Sequence, residues 1–306
     1  MTNTTRRQFL SLAAIAVATN RLRAADLSKF RLAITTDEIN DDLSTAIRFL
    51  RRFGLHYAEI RNLWGTYNTE LPLDKIHEAR KLLDQHGIRT AILDTGFFKV
   101  DMPPDNAAGQ KEIDKQWALL DRAFERAHVL GTDRIRIFAF QYPQGGRPDE
   151  KQYPRIIELL KEAARRAGRQ KIRLALENVG RSYVATAQDS ARILKAISDE
   201  TLALTWDPNN SAQSGGLRPF PEGYRLLDPQ RIIHVHLRDY RKGSSGKTEW
   251  CGVGEGDFDH EGQFKALLEE GYNETWSLET HFRIGGSKAK ASEFSIKALL
   301  KKIQEV

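Results

Sequence analysis

The 306-residue sequence contains a single cysteine, Cys251. An intramolecular disulfide is therefore excluded, and no set of cysteines and histidines has zinc-finger spacing. No apolar run reaches the ~20 residues needed to span a bilayer. No Gly-x-Gly-x-x-Gly follows the first candidate strand, which removes the usual dinucleotide-binding fingerprint, and no P-loop is present. A Pro/Gly/Ser-rich linker, a repeat of fixed period and a low-complexity tract are also missing, so a single domain is expected.

What the sequence does have is positive charge, 47 Lys+Arg against 41 Asp+Glu, a formal net charge of +6. Part of that excess lies at the N-terminus. Thr5-Arg6-Arg7-Gln8-Phe9-Leu10 precedes an apolar run of roughly ten residues, and Ala24-Ala25 supplies small residues for cleavage. This layout is that of a twin-arginine export signal over residues 1–25, with no cysteine after it for a lipid anchor. Cutting there removes Arg6, Arg7, Arg21 and Arg23 and no acid, which takes the formal charge from +6 to +2. The excess then reads as an address, periplasmic or extracellular, rather than as a nucleic-acid footprint.

From Asp26 onward, short apolar or β-branched runs alternate with helical patterns. The expected strands are Arg31–Thr35, Tyr57–Ile60, Ile88–Asp94, Arg134–Ala139, Ile172–Glu177, Leu202–Asp207, Ile232–Leu237 and Thr275–Glu279. Helices are expected at Leu43–Phe53, Leu73–His86, Lys111–Leu130, Glu150–Ala167, Ala187–Ile197, Glu261–Glu270 and Ser287–Ile303. Gly54, Gly87, Gly131, Gly168 and Gly271 stand where helix C-terminal caps want glycine. The order and size match an α/β fold, a single-domain (β/α)8 TIM barrel over residues 26–306.

Alternation along the later strands is informative. Leu174 and Leu176 oppose Arg173, Ala175 and Glu177; Leu204 and Trp206 oppose Ala203, Thr205 and Asp207. Trp276 and Leu278 oppose Thr275, Ser277 and Glu279, and Ile233, Val235 and Leu237 oppose Ile232, His234 and His236. With large apolar residues outward under the helices, the lumen faces are small or polar. Each brings a potential metal ligand to the C-terminal end of its strand, the end where barrel active sites lie. Glu177, Asp207, His236 and Glu279 together form an oxygen-rich set suited to one divalent ion, Mn²⁺, Mg²⁺ or Co²⁺, with Zn²⁺ also within its range.

At these residues the sequence resembles the xylose-isomerase-like family of sugar isomerases and epimerases. The resemblance is carried by Leu174-Ala175-Leu176-Glu177-Asn178, Trp206-Asp207-Pro208-Asn209-Asn210 and Ile233-His234-Val235-His236-Leu237-Arg238-Asp239. Gly252-Val253-Gly254-Glu255-Gly256-Asp257-Phe258, Gly271-Tyr272-Asn273 and Trp276-Ser277-Leu278-Glu279 complete it. The resemblance implies that Glu177, Asp207, His236 and Glu279 hold one metal ion, and that Glu177 and Glu279 act as an acid/base pair on opposite faces of a sugar. It implies a small carbohydrate as substrate and leaves homo-oligomer formation open; no nucleic-acid partner and no membrane anchor are expected from the N-terminal charge and the lack of a cysteine after the apolar run. Asn210 departs from the pattern, standing where ketose epimerases of this kind carry a substrate-binding histidine.

Further substrate contacts are expected from Asn210, Arg238, Glu59, Arg136 and His281, with ion pairing at the barrel mouth as the alternative for Glu59, Arg136 and Arg238. Asp94 and Lys99 are weaker candidates. Trp64 and Phe97 are placed to stack on a sugar or to cap the core, and Glu255 to shape its loop. The reading that follows is a metal-dependent isomerase or epimerase of an unphosphorylated sugar or keto-sugar. A lyase or dehydratase on the same scaffold, acting on a 3-keto-glycoside or inosose, is the alternative within this chemistry, and a non-catalytic sugar-binding protein is the alternative outside it. The endonuclease IV repair proteins share the barrel, but the resemblance there implies three zinc ions and extra histidines near early strand ends. This chain has Glu59 and Asp94 at those ends.

Overall fold

The computed structural model describes residues 30–244 and 246–306; the expected export signal, residues 1–25, lies outside them. Eight parallel strands form one sheet: β1 (Arg31–Ile34), β2 (Tyr57–Ile60), β5 (Arg89–Asp94), β6 (Arg134–Ile137), β7 (Arg173–Glu177), β8 (Leu202–Trp206), β9 (Ile232–Leu237) and β12 (Thr275–Leu278). Each strand lies beside the next, β12 lies beside β1, and a parallel bridge between Thr35 and Glu59 joins β1 to β2. Helices follow every strand: α1 (Leu43–Arg52), α2 (Leu73–Gln85), α3 (Ala107–Leu130), α4 (Tyr153–Arg169), α5 (Ala187–Ala196), α6 (Pro208–Ser214), α7 (His260–Glu269) and α8 (Lys288–Ile303). This is the TIM barrel expected from the sequence, with α6 a seven-residue helix that the periodicity did not announce.

The core divides as barrel geometry requires. Leu174, Leu176, Leu204, Trp206, Trp276 and Leu278 point outward and pack with helix residues such as Ile47, Leu83 and Leu160. Inside the barrel, Ala33, Ala91, Ile92, Ala175, Ala203 and Ile233 form a separate cluster. Ile233 corrects the expected alternation. The pairing of β8 with β9 jumps from Leu204–Ile232 to Thr205–His234, so Ile233 is an extra residue that turns into the lumen. His234 and His236 keep their inward face because the bulge lies before them.

Two antiparallel hairpins extend from strand ends and were not expected. β3 (Asn62–Leu63) and β4 (Thr66–Tyr67) follow β2, turning through Trp64 and Gly65, both at positive φ. β10 (Asp239–Lys242) and β11 (Thr248–Cys251) follow β9. The helix ends match the expected caps except at Gly168. Gly54, Gly87, Gly131 and Gly271 have positive φ, whereas α4 runs through Gly168 to Arg169 and the left-handed residue there is Lys171. At Gly131, φ is +71° and the amide donates to the carbonyls at the end of α3. An alanine there carries the left-handed penalty, so Gly131→Ala is expected to lower stability by about 1–2 kcal/mol. An unchanged urea midpoint would contradict this account of the turn.

Candidate metal centre

Strand termination places the four expected ligands on one rim. Glu177 is the last residue of β7, Asp207 follows β8, His236 is the penultimate residue of β9, and Glu279 follows β12. All four are buried and inward-facing. His236 Nδ1 lies 3.4 Å from Glu177 Oε1, 3.5 Å from Asp207 Oδ2 and 3.4 Å from Glu279 Oε2. Among the described residues neither His236 Nδ1 nor Glu279 Oε2 has a hydrogen-bond partner.

These orphaned atoms fit a divalent cation. An ion about 2.0–2.2 Å from each donor keeps even trans ligands within roughly 4.4 Å of one another. The four residues offer one atom each, all within 4.8 Å of one another. Three carboxylates and one imidazole are a hard-leaning donor set, consistent with an oxygen-preferring ion.

The three candidate carboxylate ligands are held by scaffold partners. Asn178 Nδ2 donates to the Asp207 carbonyl at 2.8 Å and Asn178 Oδ1 accepts from the Asp207 amide at 2.9 Å. Asp207 Oδ1 caps α6, accepting from the amides of Asn209 and Asn210. Arg136 Nη1 lies 3.1 Å from both Glu177 Oε2 and Asp94 Oδ2, and its Nη2 donates to Tyr67 on the β3–β4 hairpin at 3.2 Å. Arg238 pairs with Asp207 and with His281 Nδ1, lies 3.3 Å from Glu279 Oε2, and stacks 4.3 Å from the Trp250 ring on β11.

Several expected substrate contacts are thereby redirected. Asn210 Nδ2 donates to Glu177 Oε1 at 3.1 Å and to the Asn178 carbonyl at 3.0 Å, so its amide nitrogen is committed to the scaffold. Glu59 is fully buried, its two oxygens 3.2 Å from His234 Nε2 and 3.1 Å from His236 Nε2, which places it behind the imidazole rather than facing the mouth. Arg136 and Arg238 are buried and paired, the ion-pair alternative foreseen for them. His281 keeps 33% of its side chain exposed, with Nε2 3.2 Å from Glu279 Oε1. Phe97 is buried and stacked on Phe98, while Trp64 sits at the hairpin tip beside Lys75. Glu255 accepts from the Gly252 amide, within the loop it shapes.

Sequence reasoning missed Arg61, Asp37 and Glu38. Arg61 follows the last residue of β2 and reaches Glu279 Oε1 at 2.5 Å, Glu38 Oε1 at 2.6 Å and Asp37 Oδ2 at 2.9 Å. Glu38, Glu279 and His281 form a group of metal-binding spacing, and the Arg61 guanidinium sits on two of its members. The signal was present: Asp37–Glu38 lie within four residues of the end of β1 and Arg61 directly follows β2, on the rim that carries the candidate ligands. Asp239, also missed, is a buried organiser. Its oxygens accept from the amides of Tyr240, Gly254, Gly256 and Phe258, and a Cβ on Gly256 would lie 2.2 Å from Asp239 Oδ1.

A family model, the xylose isomerase-like TIM barrel, matches residues 47–302. The chain belongs to that family. Among solved structures, this family member is similar to the IolI protein with a bound zinc atom, at 20% identity and a TM-score of 0.72, covering 90% of this chain and 98% of that one. It is similar to a xylose isomerase-like TIM barrel protein from Mycobacterium smegmatis in complex with magnesium, at 18% identity and a TM-score of 0.67, covering 86% and 88%. D-allulose 3-epimerase from Methylomonas sp. in complex with D-allulose gives 16% identity and a TM-score of 0.69, covering 89% and 97%. At such identities the likeness is one of fold. No curated protein sequence matches the chain.

The electrostatics of the metal-free rim follow from these contacts. Burial works to raise Glu177, but Arg136 and then His236 outweigh it and hold the carboxyl at about 2. Glu279 lies well below the ordinary range: burial opposes its charge, and His281, Arg238 and His236 overcome it. Asp94 goes the other way, pushed well above the ordinary range by burial and, despite Arg136, by neighbouring Glu59. A carboxylate lowered in the folded state contributes stability that is full above its unfolded value and lost as pH falls through the folded one. The metal-free protein is therefore expected to lose stability progressively as pH falls from about 4.5 toward 2, less steeply in Glu177→Gln. Identical pH profiles of the urea midpoint in the two proteins would contradict the assignment.

Proposed function

We propose that this protein is a divalent-metal-dependent isomerase or epimerase of an unphosphorylated sugar or keto-sugar. The observation that carries the reading is the convergence of Glu177, Asp207 and Glu279 on His236 Nδ1 at 3.4–3.5 Å, inside a barrel rim. Family membership and neighbours that include an epimerase in complex with its sugar support the substrate class. Neighbours with zinc and with magnesium support a metal requirement without choosing the ion, for which Mn²⁺, Mg²⁺ and Co²⁺ suit the donor set and Zn²⁺ is accommodated.

When bound, a divalent ion supplies Lewis acidity, polarising a substrate carbonyl and acidifying the adjacent C–H. Glu177 and Glu279 come from separate strands of the barrel and are held ionised, which suits either one to take a proton from carbon; the other returns a proton to carbon once it has acquired one from solvent. Arg136 beside Glu177, and Arg61 and Arg238 beside Glu279, fix the two carboxylates in place. His281, partly exposed next to Glu279, is the expected side chain for a sugar hydroxyl.

Elimination on the same scaffold is the second reading. It is favoured by Asn210, whose amide nitrogen is tied to Glu177 and Asn178 where ketose epimerases present a histidine to the substrate. We also propose that the protein works outside the cytoplasm, on the strength of Arg6-Arg7 and the short apolar run after them.

The test is a metal-reconstituted assay with free, 3-keto and glycosylated sugars in D₂O, followed by NMR. Deuterium incorporation at one carbon with mass otherwise conserved is expected, with activity reduced at least 10²-fold in Glu177→Gln and in Glu279→Gln. Release of water or an alcohol would replace isomerisation by elimination. Absence of exchange with every sugar would leave a binding protein as the reading.

A further inference from the structure

Behind the metal-facing side of His236 runs a hydrogen-bonded chain through the barrel lumen. Arg134 Nη1 lies 3.4 Å from Thr275 Oγ1, and that hydroxyl lies 2.7 Å from His234 Nδ1. His234 Nε2 meets one oxygen of Glu59 at 3.2 Å, and His236 Nε2 meets the other at 3.1 Å. Glu59, His234 and His236 are all fully buried.

We propose that Glu59 is a positioning residue that sets the metal affinity of the centre by fixing which nitrogen of His236 bears the proton. The inference rests on reading Glu177, Asp207, His236 and Glu279 as the ligands. Donor chemistry gives the chain one direction. The Glu59 carboxylate only accepts, so a neutral His234 bears its proton on Nε2. Its Nδ1 then accepts from the Thr275 hydroxyl, which in turn accepts from the Arg134 guanidinium. A carboxylate only accepts, so its second oxygen draws a proton to Nε2 of His236.

The consequence is at the far nitrogen. With its proton on Nε2, a neutral His236 presents the bare lone pair of Nδ1 to the space where Glu177, Asp207 and Glu279 converge. The other tautomer would aim an N–H at the ion and a lone pair at a carboxylate oxygen, unfavourable at both ends. Partners of this kind behind a ligating histidine orient the ring and raise its basicity. The same geometry argues against Glu59, His234 and His236 as a cation site of their own, although their spacing allows one. Both Nε2 atoms face a carboxylate at hydrogen-bond distance, and His234 Nδ1 is already taken by Thr275.

Glu59→Gln tests the direction. A glutamine amide offers an N–H to one of the two imidazoles, which must then accept and move its proton to the other nitrogen. His236 is the ring that yields, because a proton on its Nδ1 faces the carboxylates of Glu177, Asp207 and Glu279. Mn²⁺ affinity, measured by chelator competition, is expected to fall on the order of 10–100-fold. Tyr153→Phe in α4, which loses a buried hydrogen bond to the Tyr183 carbonyl, is expected to bind Mn²⁺ as the unaltered protein does. In the unaltered protein labelled with ¹⁵N-histidine and loaded with ¹¹³Cd²⁺, one-bond coupling is expected at His236 Nδ1, with a slowly exchanging proton on Nε2.

Mn²⁺ affinity in Glu59→Gln equal to that of the unaltered protein would overturn the role of Glu59 alone, whereas coupling at Nε2 of His236 or His234 would put the ion beside Glu59 and overturn the ligand assignment as well. An unaltered protein that binds neither ion would overturn the metal centre with it. Should Glu59→Gln fail to fold, the coupling pattern of the unaltered protein decides the matter by itself.

Discussion

Three carboxylates aimed at one point in a buried lumen repel one another, and the rest of this site is arranged around that repulsion. Water cannot screen charges that the barrel wall encloses, so each must be paired or must share a cation. Arg136 serves Glu177, Arg61 and Arg238 serve Glu279, and Arg238 also serves Asp207. His236 Nδ1 is nevertheless left without a hydrogen-bond partner, as is Glu279 Oε2, although Arg238 Nη1 stands 3.3 Å from that oxygen. A divalent ion satisfies those atoms together, which is why the cluster reads as a centre for metal rather than as a mouth ion pair.

The fold makes that concentration of charge possible by separating it from the apolar core. Large side chains of β7, β8 and β12 turn outward beneath the helices, while four alanines with Ile92 and Ile233 fill the lumen below the rim. The added hairpins reinforce the rim from above. The β3–β4 turn brings Tyr67 to Arg136, and β11 lays Trp250 on Arg238. Asp239 gathers the glycine-rich segment after β11 through three backbone amides, so the passage Gly252–Phe258 is shaped around one buried carboxylate.

Much of this was legible in the sequence because strands obey a period of two. Ala-Leu-Glu177, Thr-Trp-Asp207 and Ser-Leu-Glu279 each announce an outward apolar residue followed by an inward acid at a strand end, and the barrel brings those ends together. Roles beyond the rim were not legible, since they depend on which side of a neighbour a residue falls. Glu59 and Asn210 were correctly placed at the C-terminal face, yet each is turned into the scaffold instead of the mouth. Ile233 was assigned to the wrong face because a bulge adds a residue that no periodicity shows. Arg61, Asp37 and Glu38 escaped because they lie just past the strands, where alternation ends and only their position after β1 and β2 marks them.

The central claim is the location of one metal ion, and anomalous diffraction from crystals of the Mn²⁺-loaded protein tests it most directly. The account predicts a single strong peak about 2.0–2.3 Å from donor atoms of Glu177, Asp207, Glu279 and His236 Nδ1. A peak between Glu59, His234 and His236, or a loaded protein with no peak on the rim, would contradict it.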